Sequence, residues 1–548
     1  MKDQNLATLY NEAFLKNWDR PVFSDYGGET YTFKQVGTII KSLHLFYQLA
    51  GLQPGDKIAL LGRNSSNWGA VFLSALSSGM VIVPILPDFN ENDTNHIINH
   101  SESKLIFCTR LQLEKIDLTY SSHLKGIVVL DDFSMHTAKD ENLSYKLADG
   151  FQYYKENNLN KASFSFSDWE SEDLCMISYT SGTSGFTKGV MIPVRSLYSN
   201  IIYAIEHMPL NAGDRIVSFL PMAHVYGLLF EFLFPITLGC HISFLNKMPT
   251  PAVITKAFGE IQPHLILSVP LIIEKIYRKK IQPVVEKTSM KILLGIPGIS
   301  SLILSKIRKT MIATFGGRFF EIVIGGAPLS NDVEKFFKRI KFPFTIGYGM
   351  TECGPLISYA AWNETATGSA GALVDRMEVR IDSEDPYNVV GEIQVKGENV
   401  MLGYYKNEVE TKASFTDDGW LKTGDLGIID KNNFIFIRGR SKNMILGASG
   451  QNIYPEEIEA KMGGQSYVAE CVVVDRKGKL TALVYPDSEA MGADHIKQED
   501  LPGIMEENRK KTNAELPKYE QISSVELVSE EFEKTPWRFR SDRATHFG

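Results

Sequence analysis

Short apolar runs alternate with longer segments of helical period through the first 340 or so residues. KIALLG, from Lys57, is apolar on both faces and predicts a buried strand. Trp68 to Ser78 predicts a helix, and MVIVPI, from Met80, the next strand. LIFC (Leu105–Cys108) and GIVVLDD (Gly126–Asp132) continue the rhythm, and similar runs start at Arg215, Leu265 and Phe319. Strand–helix–strand alternation predicts an α/β fold with parallel sheets covered by helices. Past residue 370 the pattern shortens. EVRID, GEIQVKG and GYY are strand-like runs broken by glycine and charge, which predicts a smaller β-rich subdomain. After Arg438 it changes again. NIYPEEIEAKM opens a helix with acids in its first turn, where the helix dipole favours them. VAECVVVDRKGKLTALVYP predicts a hairpin turning at Lys477-Gly478. These shifts predict a large domain over residues 1–438 and a small α+β domain over 439–548.

A length of 548 residues agrees with two or more domains, since one core rarely grows so large. The net charge of -8 argues against nucleic acid as a partner, because phosphate backbones call for a basic surface. Five scattered cysteines show neither a disulfide framework nor metal-ligand spacing, which predicts a reducing compartment. The opening MKDQNLATLYNEAF lacks the apolar core of a signal peptide, and no run of about 18 apolar residues occurs. A cytoplasmic location is the expectation. One span runs against the acidic balance. Between Arg278 and Lys309 lie eight basic residues and one acid, Glu286, around the apolar stretch ILLGIPGISSLIL. Basic flanks on an apolar segment suit the inner face of a membrane; a helical surface insertion with a buried apolar side explains them equally well.

The sharpest chemical signal is Tyr179-Thr-Ser-Gly-Thr-Ser-Gly-Phe-Thr-Lys-Gly189, set between two apolar runs. Hydroxyls of Thr180, Ser181, Thr183, Ser184 and Thr187, with Gly182 and Gly185, form a loop that can wrap phosphate oxygens. Lys188 adds positive charge. The spacing does not fit a Walker loop.

YTSGTSGFTKG closely resembles the phosphate loop of the AMP-forming adenylating superfamily, which holds acyl-CoA synthetases, luciferases and peptide-synthetase adenylation domains. Further segments resemble that superfamily in the same order: GGAP (Gly325–Pro328), GYGMTECGP (Gly347–Pro355), GWLKTGDLG (Gly419–Gly427), RGRSKNMI (Arg438–Ile445) and GQNIYPEEIE (Gly450–Glu459). The resemblance implies ATP, Mg²⁺ and coenzyme A. It places Gly325, Gly326 and Ala327 along the adenine and acyl pockets, and Gly347, Tyr348 and Gly349 against adenine. Thr351 and Glu352 then serve the α-phosphate and Mg²⁺, Asp425 the ribose hydroxyls, and Arg440 a ribose or phosphate oxygen. Lys442 becomes the hinge of a mobile C-terminal domain. Catalytic roles fall to Thr180, Lys188, His224 and Glu352.

Within the superfamily the chain is most similar to bacterial long-chain fatty acyl-CoA synthetases, through LPMAHVYG (Leu220–Gly227) and SVPLIIEKIY (Ser268–Tyr277). His224 is then expected beside the acyl carboxylate, with Met222, Val225, Leu228 and Leu329 as apolar wall. No charged anchor for an α-amine is evident, which favours a medium- or long-chain aliphatic acid. A carrier-protein thiol is the alternative acceptor. The match stops at Pro536. The superfamily's usual ending carries a catalytic lysine, and that slot falls here on Phe539, between Arg538 and Arg540. A catalytically impaired acyl- or nucleotide-binding protein is therefore a third reading.

Overall fold

The computed structural model describes residues 5–181, 187–285, 287–296, 298–446, 451–476, 478–493, 495–530, 532–535 and 538–540. Its largest sheet has eight strands, in the order Gly403–Tyr404, Thr187–Pro193, Leu174–Ser181, Val81–Ile85, Lys57–Leu61, Leu105–Cys108, Gly126–Val129 and Met135–Ala138. The five central strands run parallel, and antiparallel strands close both edges. Val81–Ile85 is buried at every position, because both sheet faces are covered and neither needs a polar side. The covering helix Ser66–Ser77 starts where Ser65 accepts from the Trp68 N–H, and all its apolar residues are buried.

A second, wholly parallel sheet joins Leu265–Ser268, Glu321–Ile324 and Phe344–Ile346. Its carboxyl edge matters most for function. Val269, Gly325-Gly326 and Gly347-Tyr348 leave the three strands at that one edge. Ligands of open α/β sheets collect at the carboxyl ends of strands.

The β-rich segment forms a four-stranded antiparallel sheet of Met377–Asp382, Gly391–Gly397, Leu421–Ile429 and Ile435–Arg440. GYY does not join it. Gly403–Tyr404 pairs instead with Thr187–Pro193, beside the phosphate loop. The alternation pattern identified a strand there but held no information on its partner.

Farther along the chain, a separate apolar cluster runs from Ile453 to Ile522. It lies under the hairpin Val468–Arg476 and Lys479–Pro486, the parallel strand Ser524–Leu527 and the helices Pro455–Gly463 and Leu501–Ala514.

The basic span is helical, as Pro270–Lys280, Gln282–Val285, Thr288–Leu294 and Ile299–Thr314. Its far end packs inward through Met311, Leu304, Ile307 and Ile312. Ile292, Leu293, Ile296, Ile299 and Leu302 stay exposed. The span therefore has one buried side and one bare apolar tip. Among the described residues no helix is long and apolar enough to cross a membrane. All five cysteines are free and buried.

Candidate active site

A cavity of about 190 Å³ opens at the carboxyl edge of the three-stranded sheet. His224, Tyr226, Gly325, Gly326, Tyr348 and Thr351 line it, so three of the sequence motifs meet there. Apolar residues of the wall include Met208, Phe230, Val269 and Leu356. Among the described residues no acid, lysine or arginine lines it. Of the four apolar residues expected in the wall, Val225 is present. Met222, Leu228 and Leu329 are not. They are buried in the main core instead, where packing takes up their side chains. Ala327 is exposed and lies outside the lining.

Two glycines have steric reasons. A Cβ on Gly325 would come within 3.1 Å of the Tyr226 ring, and Gly326 has φ +85°, which favours glycine. The Tyr226 hydroxyl donates to the Val323 carbonyl at 3.0 Å, fixing its ring across the strand ends. Sequence reasoning passed Tyr226 by, because nothing in LPMAHVYG separates it from a core aromatic. His224 caps the short helical turn Val225–Gly227, its Nδ1 accepting from the Tyr226 N–H at 3.4 Å. Burial pushes its pKa down, so at neutral pH it is an uncharged imidazole.

Beside the cavity sits a charged knot. Asp425 is buried on strand Leu421–Ile429, in register with Arg440 on Ile435–Arg440. Arg440 Nε lies 2.7 Å from Asp425 Oδ1, and the Tyr348 hydroxyl donates to Oδ2 at 2.6 Å. Burial pushes the Asp425 pKa up, and Arg440 and Tyr348 counter it. Tyr348 is thus held by its edge while its ring lines the cavity.

On the phosphate side, Leu174–Ser181 and Thr187–Pro193 form the hairpin that bears the loop, with Thr180 opposite Lys188. Gly182, Thr183, Ser184 and Gly185, and the Ser181 side chain, lie outside the described residues. The Thr187 hydroxyl is buried and has no hydrogen-bond partner among the described residues. Lys188 pairs with Glu410 and stands 5.3 Å from the centre of the Tyr404 ring. Glu352 accepts from the Tyr404 hydroxyl at 2.8 Å. Thr351 beside it is buried, and Lys442 is exposed in the turn Ser441–Asn443. Tyr404 and Glu410 went unnoticed in the sequence, because only the pairing of Gly403–Tyr404 with the loop hairpin brings them here.

A family described as "AMP-binding enzyme" matches residues 11–405. The chain belongs to that family. Among curated relatives of this AMP-binding enzyme is a long-chain-fatty-acid–CoA ligase 1 of Saccharomyces cerevisiae. It is 29% identical, over 88% of this chain and 75% of the relative. The long-chain-fatty-acid–CoA ligase FadD15 of Mycobacterium bovis is 28% identical over 80% of this chain and 74% of its own. Of solved structures, ATP-bound MatB from Rhodopseudomonas palustris superposes with a TM-score of 0.75 at 22% identity, covering 99% of this chain and 98% of MatB. That likeness establishes the shared fold.

Proposed function

We propose that the chain is an ATP-dependent, AMP-forming acid–thiol ligase that converts a medium- or long-chain fatty acid to its acyl-CoA. The observation that carries this reading is the mostly apolar cavity joined through Tyr348 to the Asp425–Arg440–Tyr348 knot. One site thus offers an apolar slot for a chain and polar groups for a nucleotide.

A carboxylate is a poor electrophile, because its charge and resonance repel nucleophiles. Its oxygen attacks the α-phosphorus of ATP, the new O–P bond forms, and pyrophosphate leaves. The thiol of coenzyme A then attacks the acyl carbon and AMP departs. The protein positions these groups and offsets their charge. Asp425 holds the ribose hydroxyls through charge-assisted hydrogen bonds. Tyr348 packs on adenine, and Thr180, Thr187 and Lys188 meet the phosphates. Neutral His224 borders the acyl carboxylate without adding a charge. The donor chemistry fits Mg²⁺: the site offers a carboxylate, Glu352, and a buried hydroxyl, Thr187, that lacks any partner among the described residues. When bound there, Mg²⁺ neutralises phosphate charge.

Residues 1–438 and 439–548 act as two domains, with Lys442 at the pivot. Coenzyme A is favoured over a carrier protein as acceptor, because the curated relatives are named CoA ligases. The exposed apolar residues between Ile292 and Leu302, with Lys279, Lys280, Lys306 and Lys309 on either side in sequence, support peripheral contact with an anionic membrane face. Mass spectrometry of a single turnover with ATP, Mg²⁺ and palmitate tests the reading. Acyl-AMP is expected without coenzyme A and acyl-CoA with it; ADP as the nucleotide product would refute it.

A further inference from the structure

Tyr404 touches both halves of the phosphate site at once. Its ring face lies 5.3 Å from the Lys188 ammonium, and its hydroxyl donates to Glu352. The residue is buried, and an ammonium over an aromatic face is attracted by the ring quadrupole. Its backbone is fixed on two sides. Tyr404 pairs with Val190, the Tyr405 N–H donates to the Gly189 carbonyl at 2.7 Å, and the Tyr404 N–H donates to Thr411 Oγ1 at 2.8 Å. Thr411 belongs to the helix Glu408–Ser414, which also carries Glu410, the carboxylate paired with Lys188. The Met401 N–H donates to the Glu352 carbonyl at 2.8 Å, so the same segment grips Glu352 by its backbone as well. Residues 401–411 thereby place a cation and an anion from two distant motifs at set positions.

We propose that Tyr404 is a positioning residue that couples the phosphate-loop lysine to the metal-side glutamate, and that Glu410 parks Lys188 until a nucleotide triphosphate takes it over. The Glu410 side chain is 45% exposed, so solvent screens the pair and a triphosphate outcompetes it. Tyr404 meanwhile keeps the ammonium within reach of the loop and holds Glu352 in one rotamer, so the metal site is preformed. This inference rests on reading Lys188 and Glu352 as phosphate and Mg²⁺ residues.

The test measures two affinities on the whole chain: calorimetric binding of α,β-methylene-ATP, and Mn²⁺ binding by electron paramagnetic resonance with that analogue present. Lys188→Ala and Glu352→Gln serve as references. Tyr404→Phe keeps the ring and removes the hydroxyl; it is expected to weaken Mn²⁺ about tenfold, as loss of an orienting partner does, with nucleotide affinity within about twofold. Tyr404→Leu is expected to weaken both. Glu410→Gln is expected to tighten the nucleotide about threefold by freeing Lys188 from a screened ion pair, with Mn²⁺ unchanged. Wild-type Mn²⁺ affinity in Tyr404→Phe, while Glu352→Gln loses it, would overturn the coupling. Weaker nucleotide binding in Glu410→Gln would overturn the parking role. If neither reference variant changes either affinity, the assignment of the site itself fails.

Discussion

Asp425 has the plainest energetic role of any single residue in the site. Its carboxylate is buried and already holds two donors, so in the proposed role the ribose hydroxyls meet an acceptor whose direction is set. Asp425→Ala is expected to weaken ATP and AMP together by about 1.5–3 kcal/mol, the range for hydrogen bonds to a charged group. Calorimetry with both nucleotides measures this; a loss confined to ATP would move Asp425 to the phosphates. Glu321 gives a test of the cavity's back wall. It accepts from the Tyr359 hydroxyl and the Trp362 N–H, and Tyr359 lines the cavity. Burial is the main cause of a Glu321 pKa raised from 4.5 to about 7. A raised folded-state value favours the protonated form. Its contribution to stability is full below pH 4.5 and is lost as pH rises through about 7. Glu321→Gln should remove that fall, which amounts to about 3–4 kcal/mol at 1.36 kcal/mol per pKa unit. Urea unfolding from pH 4 to 8 checks it: parallel wild-type and variant profiles would contradict the assignment. At this scale the sequence marked Asp425, Tyr348, Glu352 and Lys188 as chemistry-bearing residues; in the fold Tyr348 lines the cavity and bonds Asp425, while Glu352 and Lys188 both meet Tyr404. Tyr226, Tyr404 and Glu410 carried no signal. Each matters through a contact made across the fold, and an isolated aromatic or acid reads the same in a core or on a surface.

Elements were the most legible level. Past its leading lysine Lys57–Leu61 is apolar, as are Val81–Ile85 and Leu105–Cys108 throughout, and only a two-sided cover makes such a strand stable. Their order in the sheet was not legible, because apolar runs specify burial and not neighbours. GYY shows the same limit. The basic insertion was open between two readings; Met311 is buried, as the insertion reading expects, while Leu302 is bare, and membrane contact stays a proposal. Sedimentation with anionic vesicles is expected to fall as salt rises, and to fall further when Lys279, Lys280, Lys306 and Lys309 become Gln. Screening over a Debye length of about 8 Å at physiological salt sets that dependence. Equal, salt-insensitive sedimentation with neutral vesicles would contradict electrostatic docking.

The whole molecule joins a large α/β body to a smaller apolar cluster near the C-terminus. Phe539 stands where the superfamily's adenylation lysine is expected. Its backbone pairs with Lys534 in the short hairpin Glu533–Thr535 and Arg538–Arg540, and its side chain lies outside the described residues. Adenylation drives a negative carboxylate toward a negative phosphate, so a bridging cation relieves repulsion that peaks in the transition state. Phe539→Lys is therefore expected to speed single-turnover pyrophosphate release by about tenfold or more, equivalent to 1.4 kcal/mol of barrier. Thioester formation from supplied acyl-AMP should stay unchanged. Equal adenylation rates in both chains would assign the charge to Arg538 or Arg540.

The central claim is that an acid is activated by AMP transfer and handed to a thiol. Pyrophosphate release, followed over acids from acetate to oleate with and without coenzyme A, tests it most directly. The account predicts release that requires both ATP and an acid, rises toward medium or long chains, and turns over repeatedly only with coenzyme A. Release that ignores the acid, or that responds to a carrier protein and not to coenzyme A, would contradict it.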